Sequence, residues 1–173
     1  MNFCKQLYLE TKECHKHVDS NPFVELVKIN NKAGDIYIQF NKMCINAIQT
    51  NKDNCLPLSL QQKLNRNCKS KRETPFSNYE LQLIKRCQEF PLEHSYLMYL
   101  GILAGGNLLK KYISEDHHPF LTFDNSKELI IEFKTYLNEN VLNELQDQFI
   151  ENVKESYKLI KNIFDEYFLD FKK

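Results

Sequence analysis

Three of the four glycines in this chain fall within six residues, at Gly101, Gly105 and Gly106. They interrupt the apolar stretch Tyr96-Leu97-Met98-Tyr99-Leu100-Gly101-Ile102-Leu103-Ala104-Gly105-Gly106-Asn107-Leu108-Leu109, whose flanks have helical character. A glycine inside a helix costs roughly 1 kcal/mol relative to alanine, so three together need a structural use. Gly101 and Gly105 are four residues apart and share one helical face. That face exposes bare backbone, so a flat or bulky group can come close to the helix axis, and the helix can bend there. Two uses fit: a tight crossing of two helices, where small-xxx-small faces let backbones meet, or a platform for a ligand. A membrane span is not a third, because the run closes at Lys110-Lys111 after 14 residues, whereas a span needs ~20.

A chain of 173 residues is long enough for one domain with a real core. Its formal net charge is zero, which argues against the dominant basic face of a nucleic-acid or membrane-surface protein. The opening Met1-Asn2-Phe3-Cys4-Lys5-Gln6 lacks the apolar region of a secretory signal. The final Phe168-Leu169-Asp170-Phe171-Lys172-Lys173 carries no hydrophobic tail, so a soluble, cytoplasmic protein without a membrane anchor is expected. Six scattered cysteines form no Cys-x-x-Cys pair, and reduced thiols are expected.

Apolar residues recur at helical spacing along the whole chain, and no sustained alternating stretch bounded by hairpin turns is present. The expectation is an all-α single domain over residues 1–173. A first helix is predicted from Asn2 to Val18, and Asn21-Pro22 has the form of a cap and first position for a short second helix. Gly34 reads as a stop before a third helix at Asp35–Gln49. Leu58–Leu64 fits one or two turns, and Cys68–Pro75 reads as a basic, solvated connection. Further helices are predicted at Asn78–Cys87 and, opened by Pro91, up to Tyr112. Ser114–Asp124 reads as a loop in which His117 and His118 are exposed. Asn125-Ser126-Lys127-Glu128 has capping-box form. The last helix, Val141–Phe168, shows an apolar stripe of Leu142, Leu145, Phe149, Val153, Tyr157, Ile160 and Phe164 that core packing explains.

Within the first helix, His15 and Asp19 are four apart and share a face. A carboxylate there can accept the proton of one ring nitrogen and leave the other as a neutral metal ligand. The same spacing also describes an ordinary exposed surface pair. Glu115 and His118 make one Glu-x-x-His, but a bundle di-iron site needs two plus further glutamates, and no second one is present.

Two segments together carry a resemblance. Thr11-Lys12-Glu13-Cys14-His15, followed by Asp19 and Phe23, is similar to the proximal helix of heme oxygenases. Tyr96, Tyr99-Leu100-Gly101 and Gly105-Gly106-Asn107-Leu108-Leu109-Lys110-Lys111 resemble their glycine-rich distal helix. A weaker match follows in Phe120-Leu121-Thr122-Phe123 and Phe133-Lys134, and order and spacing agree from residue 2 to about 168. The resemblance implies a heme oxygenase-like helical bundle with heme between the first helix and a glycine-kinked distal helix. It implies His15 as the axial iron ligand, Asp19 as the residue that orients it, and Lys12 and Lys134 as holders of the heme propionates. Tyr96, Gly101, Gly105 and Gly106 would line the cofactor. The implied reaction opens heme, which is both substrate and cofactor, to biliverdin, CO and Fe(II). It uses O2 and electrons from a ferredoxin or reductase, in a monomer.

The departures from the family pattern are equally specific. The aspartate that normally follows the first glycine of the distal motif is Ile102, which can neither donate nor accept a proton. An arginine before the Tyr-Leu-Gly is Met98, the propionate-binding arginine after the matched lysine is Asn138, and a lysine near the start of the first helix is Tyr8. These changes give an alternative expectation: a heme-binding sensor, carrier or pseudoenzyme whose ring-opening step is impaired.

Overall fold

Residues 1–173 are described by a computed structural model. The chain is all α, with α1 at Phe3–Asp19, α2 at Pro22–Val27, α3 at Asn31–Gln49, α4 at Leu58–Leu64, α5 at Asn78–Glu89, α6 at Pro91–Leu109, α7 at His118–Leu121, α8 at Ser126–Asn140 and α9 at Gln146–Phe171. Single 3-10 turns at Glu115–His117 and Asn143–Leu145 precede α7 and α9.

Side-chain caps fix several boundaries. Asn2 accepts from the Lys5 amide at the start of α1. Asn21 accepts from the Phe23 amide at 2.9 Å with Pro22 in the first turn, and its own amide donates to Asp165 at 2.7 Å, which ties α2 to α9. The capping box of the chain is at Ser77 and Glu80, where both reciprocal bonds form. At Asn125, where the sequence pattern places one, the side chain makes no cap bond and the backbone is left-handed, with φ of 56°.

The central helices pack around one continuous apolar core. α9 is its spine, lying against α1, α2, α5 and α6. Phe164 centres an aromatic cluster with Phe40, Phe23 and Tyr37, at ring separations of 5.0, 5.3 and 5.9 Å. Of the predicted stripe on the last helix, Phe149, Val153, Ile160 and Phe164 are buried. Leu142 and Leu145 are not part of it: both are exposed and precede the helix, which begins only at Gln146.

Three further expectations are corrected. Gly34 does not stop a helix; it lies in the first turn of α3, which Asn30 caps by accepting from Ala33. The basic connection is not simply solvated. Within Cys68–Pro75, Arg72 forms two bonds to the fully buried Glu80; just ahead of that segment, Arg66 stacks on Phe123 at 3.4 Å and donates to the Thr122 carbonyl. His118 is half-buried and shares its Nε2 proton between the carbonyls of Lys110 and Ile113, closing the end of α6. No disulfide forms among the six cysteines, and no helix is long and apolar enough to cross a membrane.

Candidate functional site

α6 runs as one helix through all three glycines, and none takes a positive φ. Their use is therefore space. A Cβ added at Gly101 or Gly105 would meet nothing within 4 Å, whereas one at Gly106 would sit 2.7 Å from the backbone oxygen of Leu121. One of the two uses read from the sequence occurs, and at a single glycine. Gly106 is the tight crossing of α6 on α7. Gly101 and Gly105 border an open volume. Gly106 thus stands outside the cavity-facing pair, because one step along a helix turns the side-chain direction by ~100°.

That volume is a cavity of about 650 Å³, within the range of small-molecule sites. It collects His15, Lys12 and Asp19 from α1, Tyr96, Gly101, Ile102 and Gly105 from α6, and Lys134 from α8. These residues are spread over more than 120 positions of sequence, and the fold brings them to one space. Most of the remaining lining is apolar or aromatic, including Val27, Phe40, Met98, Tyr157 and Phe164.

His15 is half-exposed on α1, with Nε2 3.4 Å from Asp19. Its ring also lies 5.7 Å from that of Tyr157, tilted by 55°. With one nitrogen facing the carboxylate, the other is free to ligate. Lys12 and Lys134 enter no ion pair within the chain, so two uncompensated cations stand at the cavity for an anionic group. Their helices are joined nearby. The Cys4 amide donates to Asn138 at 2.9 Å, and the Cys4 thiol donates to the Lys134 carbonyl. Asn138 therefore locks α8 onto α1. Burial pushes the Cys4 thiol up to about 11, with the Lys134 charge pulling the other way, so the sulfur stays protonated and is a poor metal ligand at neutral pH.

No three His, Cys, Asp or Glu side chains converge anywhere as a metal cluster. A single imidazole suits an iron whose remaining in-plane positions are supplied by a macrocycle, and the apolar walls with two cations suit a flat ring bearing carboxylates. The residues present therefore fit heme.

Sequence reasoning missed Asn41. This residue of α3 lines the same cavity and is only 7% exposed. A polar residue among Phe40, Met43, Cys44 and Ile45 was its only signal. Asn46, further along α3, and Asn107, beside Gly106 on α6, are exposed and do not line the cavity.

No protein-family model and no curated protein matches this sequence. Solved structures do. A heme oxygenase from Leptospira interrogans superposes with a TM-score of 0.79 at 20% identity, covering 96% of this chain and 100% of the other. Heme oxygenase-1 from the cyanobacterium Synechocystis, solved in complex with heme, gives 0.75 at 18% identity over 96% and 92% of the two chains. The chain has the heme oxygenase fold. In this fold Ile102 is 3% exposed and forms part of the cavity wall beside Gly101, with Met98 one turn earlier. The α6 wall is thus apolar where it lines the cavity beside the glycines, and the adjoining α3 contributes two polar side chains to the lining, the phenol of Tyr37 and the amide of Asn41.

Proposed function

We propose that this protein binds heme in the α1–α6 cavity through His15 and opens it as a heme oxygenase, to biliverdin, CO and Fe(II). The observation that carries this reading is the pairing of His15 on one wall with the open backbone of Gly101 and Gly105 on the other. Bound heme would supply the iron on which O2 is activated by electrons from a ferredoxin or reductase. The chain's own residues bind and orient. His15 holds the iron with a ring kept in place by Asp19 and Tyr157. Lys12 and Lys134 hold the carboxylates and so fix which edge of the ring points inward. The glycine face lets the ring approach α6 while leaving room on that side for a diatomic ligand, and the apolar walls exclude bulk water.

A second reading is favoured by one observation. Ile102 lines the cavity where a proton donor would be most useful, and its side chain has none to give. A heme binder with slow or absent ring opening follows from that residue. Purified protein with one equivalent of hemin, an electron source, air and catalase separates the two readings. Loss of the Soret band with growth of a bilin band establishes the oxygenase. A stable Soret band that shifts on reduction without bilin establishes the binder. Hemin that gives no stoichiometric Soret change overturns both.

A further inference from the structure

Asn41 is a buried amide in an apolar wall. Its Nδ2 donates to the Tyr37 carbonyl at 2.8 Å, and the same amide lies against the Tyr37 phenol. Its Oδ1 accepts no hydrogen bond from the chain and is not sealed in the core; on a residue only 7% exposed that lines the cavity, it opens onto that space. A polar atom that opens onto a largely apolar cavity is satisfied there by ordered water or by a bound ligand. Within the cavity the missing partner is a water or a polar atom of the ligand. α3 packs on α6, α5 and α2, while α1 with His15 packs on α8 and α9. Asn41 therefore belongs to the wall that carries Gly101 and Ile102.

We propose that Asn41 is a positioning residue of this site: its Oδ1 holds an ordered water on the α6 side of the cavity and takes over there the polar role that Ile102 cannot fill. This rests on the heme reading above. The amide is suited to the task because its donor side is anchored to Tyr37, which fixes the direction in which the oxygen points. An unanchored asparagine could rotate and present its NH2 instead.

The test uses the whole protein. A high-resolution crystal structure of the unliganded wild type is expected to show a water within hydrogen-bond distance of Asn41 Oδ1, lost in Asn41→Leu. Hemin is then bound, reduced under carbon monoxide, and the C–O stretching frequency recorded. That frequency reports polar groups close to the ligand and is insensitive to stability. Asn41→Leu and Asn41→Asp are both expected to bind hemin with wild-type stoichiometry and to shift the C–O stretch. Asn107→Leu, exposed and away from the cavity, is expected to leave it in place. Asn41→Asp keeps the volume and serves if the leucine variant fails to fold. Normal hemin binding with an unshifted C–O stretch in the Asn41 variants overturns the proposal alone. Wild type that fails to bind hemin overturns the heme reading and the role of Asn41 with it.

Discussion

Where α5, α6 and α9 meet, the buried polar groups answer one another. Glu80 is fully buried, yet Arg72 contacts both of its oxygens at 2.6 and 2.8 Å, the Ser77 amide donates at 2.7 Å, and Tyr167 donates a short bond. Burial works against this carboxylate, but those hydrogen bonds outweigh it and hold its pKa below the ordinary value. His94 is equally enclosed. Its Nδ1 donates to the Phe90 carbonyl and its Nε2 accepts from Ser156, each at 2.7 Å, while Ser156 in turn accepts from Arg86 at 2.9 Å. The cavity between α1 and α6 is built the other way. There Asn41 has a free oxygen, Lys12 and Lys134 have no carboxylate partner, and two glycines border empty space. A satisfied network rigidifies a fold. An unsatisfied one, held in place by that rigidity, is what a ligand completes.

This contrast can be broken by variants, and the largest effect lies in the seam. Glu80→Ala strands Arg72 and removes the acceptor of Tyr167. Losing one partner of a buried pair costs about 3–5 kcal/mol, which urea denaturation would measure, and a loss well under 1 kcal/mol would show that the seam is not the structural half.

His94 gives the next effect. Burial, opposed by the Phe90 carbonyl and aided by the nearby Arg86 charge, lowers its pKa to about 4. The unfolded chain, with an ordinary histidine near 6.5, therefore binds more protons than the folded one between these values. Stability is full above about pH 6.5 and falls as pH drops toward 4, by about 3 kcal/mol at the lower limit. Thermal melts across that window, compared with His94→Gln, should show a shallower acid slope in the variant.

The glycines sharpen the comparison within one helix. Gly106→Ala forces a methyl to 2.7 Å from the Leu121 carbonyl, a backbone atom that cannot simply rotate away. Overpacking of this kind costs about 1–3 kcal/mol, and a lower melting temperature is expected. Gly101→Ala and Gly105→Ala meet nothing, so each should stabilise the unliganded protein by about 0.5–1 kcal/mol through helix propensity. The same methyls would intrude on a flat ligand, and a hemin titration should weaken as the melting temperature rises. Opposite stability signs at Gly105 and Gly106, neighbours in sequence, follow from packing alone; the weakened hemin titration at Gly101 and Gly105 is what tests a ligand-facing side.

Most of the helices were legible because periodicity and caps are local. The pattern around Asn21-Pro22, the capping preference for asparagine at helix starts, and the buried part of the stripe on α9 all depend on residues within a few turns of one another. The α1 histidine pattern and the glycine cluster were also visible, since their spacing is set by a single helix. What remained hidden depended on partners far along the chain. Arg72 looks like one charge in a basic run until Glu80 is seen across from it. Leu142 and Leu145 fit the apolar period but are exposed, because α9 starts only after them. Helical spacing fixes which residues share a face, and that much the sequence alone determined, together with the all-α class and the placement of His15, Gly101 and Gly105. Only the packing of α3, α6 and α7 decided that Gly106 would be a crossing point while Gly101 and Gly105 open on a cavity with Asn41 in its wall. The reason is physical: a face becomes a contact or a cavity according to what long-range packing sets against it.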